Sequence, residues 1–278
     1  MKFIAPAGSV VNVVHPGPCV GGNTDLQPKL IDLLLKAFSQ AVPERVAAAS
    51  GGSSSNFLFG GIHPVTGTYY TNYHFDGHGT GGTAQKDGNN GEITRHSNCR
   101  NTPIEVFEGR YPFLNLEYRL MPDSGGPGEH RGGLSTTRTL EVTADEITLS
   151  CLFDRAKIPG WGLFNGKSGG LSQLLVKRVG DDEFRTFVEA YHTVSPTKFT
   201  NVLLKRGDIV RYVTPGGGGY GDPLRRDPEA VLTDVRNGWV SVEAARREYG
   251  VIVMPHDHDF VVDDATTAEL RDGRVGAA

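Results

Sequence analysis

The sequence has 278 residues, a formal net charge of −4 and 38% hydrophobic residues. That length allows one large domain or two ordinary ones, and the slightly acidic balance removes any electrostatic case for nucleic acid or an anionic membrane surface. Its 37 glycines follow no Gly-X-Y period, which excludes a collagen-like repeat and points to long ordered loops.

Cys19, Cys99 and Cys151 form no C-x-x-C pair, so the expectation is reduced and mostly buried thiols. The opening residues from Met1 to Gly8 hold too short an apolar run for a secretory signal. The longest apolar stretch, Leu30 to Leu35, falls far short of the ~20 residues of a membrane span. A cytoplasmic location is therefore expected.

Residues 1–24 read as extended and loop-like, punctuated by Pro16, Gly17, Pro18, Gly21 and Gly22. A helix follows, with Leu30, Leu34, Ala37, Phe38, Ala41 and Val42 on one stripe. It starts either on a Thr24–Gln27 capping box or with Gln27 before Pro28, and Pro43 closes it. Residues 50–101 are rich in Gly, Ser, Thr and Asn, but Phe57, Phe59, Tyr69, Tyr70, Tyr73 and Phe75 interleave them. Aromatic burial drives ordering, so these read as ordered loops lining a cleft.

From residue 104 the pattern turns to strands. Leu114, Leu116, Tyr118 and Leu120 alternate with polar residues, as do Ile147, Leu149, Cys151 and Phe153. Leu174 to Val176 form a short buried run, and Phe187, Val188 and Tyr191 mark another candidate strand. Arg206-Gly207-Asp208 reads as a hairpin-like turn. In the tail, Asp227 caps a helix that Gly238 stops, and Ser241 caps a second that ends at Gly250. The fold class is α+β: β-rich, mostly antiparallel sheets with one amino-terminal helix and a carboxy-terminal helix pair. The expected division is a helix plus Gly/Asn-rich cleft-lining region over 1–110, a β-rich domain over 111–225, a helical tail over 226–253 and a loose terminus over 254–278.

Five motifs carry possible chemistry. His74-x-Asp76-x-His78 places two imidazoles and a carboxylate at alternate positions, a set able to bind a divalent metal if Asp87, His96 or Asn98 completes the sphere. The plainer reading is a Gly-punctuated loop bonded to backbone or water, and it is favoured. In the run from His96 to Glu108, Asn98 and Asn101 offer both donors and acceptors to a cyclic amide. Glu105 and Glu108 serve there as general bases or orient Arg100, against a plain Asx-turn. Pro122 to Gly133 presents backbone N–H groups and Arg131 to an anion, or simply joins two strands. Gly166-Lys167-Ser168 hints at a phosphate loop, but Trp161 stands where the first glycine is required. Gly216 to Gly219 suit close backbone approach or positive φ, and a packed turn is the safer reading than a dinucleotide loop.

Together these segments resemble the hydantoinase B/oxoprolinase family. The resemblance rests on four blocks: His96 through Asn101-Thr102-Pro103 to Glu105 and Glu108; Pro122 to Gly126 followed by Arg131-Gly132-Gly133; Pro159 to Phe164 with Gly166-Lys167; and Thr214 to Pro223 followed by Asn237-Gly238 and the helix from Ser241 to Gly250. It runs from about the start of the chain to Val253. The resemblance implies a protein about twice this length, so that Met1 falls near its middle. The half bearing the family's metal-binding His and Asp residues is then absent, through a split gene or a fragment. It further implies a partner of the hydantoinase A type, with an ATP-using actin-like fold. On this reading the partner phosphorylates the carbonyl oxygen of a cyclic amide such as hydantoin or 5-oxoproline. The B-type polypeptide then directs water at the activated carbon with a divalent metal.

Glu105 and His96 are the catalytic candidates; Asn98, Asn101 and Arg131 are the substrate-binding ones. His74, Asp76 and His78 remain the metal candidates, with most metal ligands expected on the absent half. Ketone carboxylases of the acetone and acetophenone type resemble the same family and give an alternative activity. A non-catalytic assembly module for such a complex is the third reading. The expected ligand is a small molecule, with no nucleic acid and no membrane.

Overall fold

The computed structural model of the protein describes residues 4–19, 21–93 and 99–275. Helix α1 (Gln27–Phe38) follows a π-helical turn over Gly22–Leu26, with Pro28 in its first turn, where a missing N–H costs nothing. Most of the expected apolar stripe does not face a core, although Val42, past the helix end, packs with Leu35 on the small cluster of Val46, Ala48 and Leu163. Leu33, Leu34 and Phe38 are exposed, and the residues buried are Pro28 and Asp32. A charge decides the orientation. Arg155 is buried and needs a carboxylate, so Asp32 turns inward to meet its Nη2 at 3.3 Å and accepts the Ser50 backbone N–H at 3.0 Å.

Two antiparallel sheets enclose the main core. The first has the order β2-β1-β5-β8, from β1 (Asn56–Ile62), β2 (Tyr69–His74), β5 (Glu146–Leu152) and β8 (Lys198–Lys205). The second has the order β3-β4-β9-β6-β7, from β3 (Phe113–Leu120), β4 (Thr136–Val142), β6 (Gln173–Lys177), β7 (Arg185–Thr186) and β9 (Ile209–Val213). Phe57, Phe59, Ile147, Leu149 and Leu204 from one sheet meet Phe113, Leu140, Val176, Val210 and Tyr212 from the other. Each such side chain stabilises the fold by roughly 1.5–3 kcal/mol. Helix α2 (Ile104–Arg110) adds Phe107 to the same cluster. The boundary expected at residue 110 therefore separates nothing, because Phe57, Phe59 and Phe107 share one core with the strands after it.

Other expectations fail for local reasons. The alternation through Leu114, Leu116, Tyr118 and Leu120 is broken by a bulge between Asn115 and Glu117. The extra residue leaves Leu114 paired with Glu141 and turns Tyr118 to the row of Arg138. Residues 206–208 do not close a hairpin, since β8 pairs with β5 and β9 pairs with β4 and β6. They form a corner between sheets, and Gly207 N–H meets Val142 O at 2.8 Å where β4 leads into β5. The candidate strand at Phe187–Tyr191 is helix α3 (Phe187–Tyr191), set by a capping box between Thr186 and Glu189. Of the cysteines, only Cys151 is buried; Cys19 and Cys99 are exposed.

The tail forms as expected and then continues. Helix α4 (Pro228–Arg236) is capped by Asp227, and α5 (Val242–Tyr249) by Ser241, with Gly250 at φ 64° closing it. Both pack on a second, smaller core with Val231, Leu232, Tyr249 and Val251. The terminus is not loose: β10 (Val253–His256) and β11 (Asp259–Val262) make a hairpin, and α6 (Asp264–Val275) follows. The missed signal was Asp263, whose carboxylate accepts from Thr266 N–H at 3.0 Å as a helix cap. Among the described residues no helix is long and apolar enough to cross a membrane.

The loops between these elements are joined by the run Gly216–Gly219. Gly216 N–H donates to Gly170 O at 3.0 Å, and Gly217 N–H to Gly133 O at 3.0 Å. Gly218 N–H donates to Ala49 O at 2.8 Å, and Gly219 N–H to Lys167 O at 2.9 Å. The carbonyls of Gly217, Gly218 and Gly219 accept from Gly126, Gly82 and Leu163 in turn. None of the four has positive φ. Space is the requirement: a Cβ at Gly217 would lie deep inside the Thr80 carbonyl oxygen.

Gly217→Ala is expected to cost about 3 kcal/mol or more of stability through overpacking. Gly109→Ala, on an exposed face of α2 with nothing near its Cβ position, should gain up to ~1 kcal/mol. Urea denaturation of both variants checks this, and equal effects would contradict the steric account.

Candidate functional site

Arg138 sits in β4 on the same row as Leu140 and Val142, which point into the core. A buried guanidinium is stable only with a counter-charge and filled hydrogen bonds. Asp76, two residues past the end of β2, supplies both. Arg138 Nε donates to Asp76 Oδ2 at 2.7 Å and Nη2 to Oδ1 at 2.8 Å. Tyr212 of β9 donates its hydroxyl to Asp76 Oδ2. Arg138 Nη1 reaches Asn115 Oδ1 at 2.9 Å, and its guanidinium lies 4.1 Å from the centre of the Tyr118 ring.

Burial alone would raise the Asp76 pKa. The hydrogen bonds from Arg138 and its charge outweigh it and hold the carboxyl well below the usual range. Tyr212 is pushed far up, by burial first and by the Asp76 charge second.

This network reaches the surface through Tyr118, whose hydroxyl accepts from Asn101 Nδ2 at 2.6 Å. Asn101 stands at the rim of an open cleft of about 470 Å³ that Asn89, Glu92, Cys99 and Arg100 also line. The loop opposite is held by Asn90, whose Oδ1 accepts the Leu134 N–H at 2.9 Å. Asn101 keeps its carbonyl oxygen as an acceptor, Arg100 and Glu92 bring both charges, and Asn89 adds an amide. Such a rim suits a small polar ligand with an amide or carboxylate group.

The residues expected from sequence are divided by the structure. Asn101 lines the cleft. Glu105 is exposed in the first turn of α2, four positions further on. Glu108 Oε1 accepts the Asn115 N–H at 2.7 Å, which ties this side chain to β3. His96 and Asn98 lie outside the described residues.

Arg131 is turned into the protein. It is 1% exposed, with Nη1 on Gly132 O at 2.7 Å, Nε 3.3 Å from Asp234 Oδ2, and its guanidinium beside Trp239. Asp234 also pairs with Arg226, which grips Asp87 through two nitrogens at 2.7 Å each. Asp87 is therefore part of a charge network that binds the 80s loop to α4. Burial disfavours its charge, but the Arg226 hydrogen bonds and charge prevail and lower its pKa.

His74, Asp76 and His78 are all buried, yet they do not fit a divalent ion. Asp76 spends both oxygens on Arg138 and Tyr212. The His74 ring packs on Phe107 with Nε2 3.7 Å from Asp76, and His78 Nδ1 is 2.9 Å from Gly79 O. Among the described residues no group of three His, Cys, Asp or Glu side chains is placed to hold a metal. Sequence reasoning missed Arg138, although its period-2 position with Leu140 and Val142 was a signal: an inward arginine demands a carboxylate partner.

The sequence matches the hydantoinase B/oxoprolinase family model over residues 1–223. It is 32% identical over 283 residues to the B component of a putative D-/L-hydantoinase from Pseudomonas sp. (strain NS671), covering 98% of this chain and 43% of that protein. To the beta chain of the caprolactamase of Pseudomonas jessenii it is 34% identical over 272 residues, covering 95% of this chain and 45% of that one. The crystal structure of the ATP-dependent caprolactamase from Pseudomonas jessenii aligns with a TM-score of 0.78 at 30% identity, over 97% of this chain and 46% of its own. A nucleotide-free acetone carboxylase shares the fold with a TM-score of 0.72 at 24% identity, over 86% of this chain and 35% of its own. The chain thus spans a little under half the length of these curated relatives.

Asp76→Asn leaves Arg138 buried without a counter-charge and is expected to cost about 3–5 kcal/mol. Because the folded pKa of Asp76 lies below its unfolded value of ~3.9, its contribution is fully present above that pH and lost only as pH falls through the folded pKa. Urea titrations of both proteins should therefore give a constant difference between pH 5 and 8 that shrinks only below about pH 4. A difference already gone at pH 6 would contradict an ionised, paired Asp76.

Proposed function

The chain belongs to the hydantoinase B/oxoprolinase family, and on that premise we propose that it is part of an ATP-dependent cyclic-amide hydrolase. It acts with a second polypeptide of the hydantoinase A type that carries the ATP, and with polypeptide equivalent to the rest of a full-length family member. What supports this above all is the likeness to the ATP-dependent caprolactamase, which extends over 97% of this chain. The acetone carboxylase likeness, at 24% identity, speaks for the fold alone.

In this reading the partner activates the ring carbonyl by transferring a phosphoryl group to its oxygen. The cleft beside Asn101 positions the ring through amide hydrogen bonds, and Glu105 takes a proton from the attacking water. The ring C–N bond then breaks, the proton passes to the leaving nitrogen, and a second water hydrolyses the resulting acyl phosphate to free phosphate. A divalent metal, if the complete enzyme uses one, is ligated outside the described residues of this chain. The assembly works in the cytoplasm on a small-molecule lactam or cyclic imide.

Combining the chain with the products of neighbouring genes should give ATP-dependent opening of caprolactam, 5-oxoproline or hydantoin, read as the new amino acid (for hydantoin, the N-carbamoyl amino acid) and released phosphate. Asn101→Ala should lower kcat/KM roughly tenfold, the worth of one hydrogen bond to substrate, with the complex intact by size-exclusion chromatography. Turnover unchanged in Asn101→Ala and Glu105→Ala would make this chain an assembly module instead. Bicarbonate-dependent consumption of acetone without ring opening would make it a carboxylase part.

A further inference from the structure

A second cavity, of about 370 Å³, lies between the start of α1, residues 153–158 and residues 195–198. Its apolar wall is Phe153, Ile158 and Pro196, and its polar wall is Lys29, Asp154, Lys157 and Lys198. The cleft at Asn101 shares no lining residue with it. The charges do not balance. Asp154 is paired with both Lys29 and Lys198, so one carboxylate serves two ammonium groups. Lys157 is exposed at the same cavity and makes no ion pair among the described residues. Arg155 also lines it but is committed to Asp32, to Gly51 O at 3.1 Å and to Pro159 O at 3.3 Å.

The nearest further acid, Asp25, does not line the cavity. It is 4% exposed, and Ser53, Asn56 and Thr24 direct donors at its carboxylate. Burial, only partly offset by the Ser53 hydrogen bond and the Lys29 charge, raises its pKa to about 6. Lys29 is thus held from behind the wall by the Asp25 charge and by the carbonyl oxygens of Asp25 and Gly52, so Lys198, which shares Asp154, and Lys157 leave the half-apolar hollow with one positive charge in excess. Its volume falls at the small end of small-molecule sites, roughly 300–1,000 Å³.

We propose that this cavity binds a small organic anion, a carboxylate on a short aliphatic body. The carboxylate meets Lys198, which shares Asp154 with Lys29, and Lys157 closes on it from the rim. The aliphatic body lies on Phe153, Ile158 and Pro196. This assignment stands on the cavity itself and does not rest on the proposed enzymatic reading.

Titration calorimetry of the full chain with sodium hexanoate, hexanamide and inorganic phosphate tests it. Hexanoate should bind saturably and weaken with added salt. Hexanamide, equal in shape but uncharged, should bind about tenfold more weakly. Phosphate, which lacks the aliphatic body, should also bind more weakly than hexanoate. Lys157→Met and Lys198→Met should each reduce hexanoate affinity severalfold, and Ile158→Asp should abolish it. Lys157 makes no ion pair among the described residues, so its variant remains informative if Lys198→Met fails to fold. Equal binding of acid and amide, tighter binding of phosphate, or hexanoate affinity untouched in Lys157→Met would each overturn the proposal, as would no binding at all.

Discussion

The backbone contacts of Gly216–Gly219 hold together loops that only a small apolar cluster around Val46, Ala48 and Leu163 reaches. Loop backbone buried in a protein must find hydrogen-bond partners for every N–H and C=O. Here four segments, around residues 49, 82, 126–133 and 163–170, satisfy one another through this single thread. Each hydrogen bond contributes only about 1 kcal/mol net, but an unpaired buried group would cost about 1–3 kcal/mol. The opposite side of each glycine is taken by another carbonyl: Ser124, Thr80, Trp161 and Pro127 in turn. A side chain at any of the four would push a loop away and strand its partners. With only 38% hydrophobic residues, the chain builds this part of its interior from backbone rather than from apolar side chains.

The buried ion pair depends on that framework. Thr136 and Thr214 both donate their hydroxyls to Gly77 O at 2.8 Å, which fixes the turn directly after Asp76. Asp76 can then meet Arg138 with both oxygens. Such a pair adds little net stability, because desolvating two charges offsets most of their attraction. What it does provide is geometry. Arg138 fixes Asn115 and the Tyr118 ring, and Tyr118 fixes Asn101 at the cleft. A line of polar groups thereby runs from the centre of the sandwich to the rim, so the orientation of a surface amide is set by packing at residues distant from it in sequence.

Much of this was legible in the sequence, and the limits have physical causes. Period-2 alternation located β5 correctly, since Ile147, Leu149 and Cys151 are all buried. The cap residues Asp227 and Ser241 marked α4 and α5. At β3 the alternation misled, because a bulge is invisible to a count of apolar positions. At residues 206–208 a sharp turn was readable, but whether it joins neighbours in one sheet or crosses between two depends on long-range pairing. The glycine run was recognised as a packed turn, with its two possible causes left open; the structure selects close approach over positive φ. Asn101 was singled out because its side chain is chemically versatile, and it lines the cleft. Arg131 looked like an anion ligand for the same reason that it is buried: an arginine among glycines can neutralise a carboxylate of the protein itself as readily as one from outside.

Helix α1 shows how the remaining polar surface is put to use. Twelve residues of helix are marginal alone, and its apolar stripe contributes little here because Leu34 and Phe38 are 38% and 44% exposed. The helix is instead fastened by charges: Asp32 to Arg155, and Lys29 to Asp154. Those fastenings are also the wall of the cationic cavity. Lys29 cannot shift toward an anion without loosening its hold on Asp154, unless Lys198 keeps that carboxylate paired. The second lysine is what makes the arrangement tolerant: it allows one ammonium to serve a ligand while the other maintains the helix. The excess of one positive charge, which would be a plain cost in a sealed core, is acceptable here because the cavity opens to water.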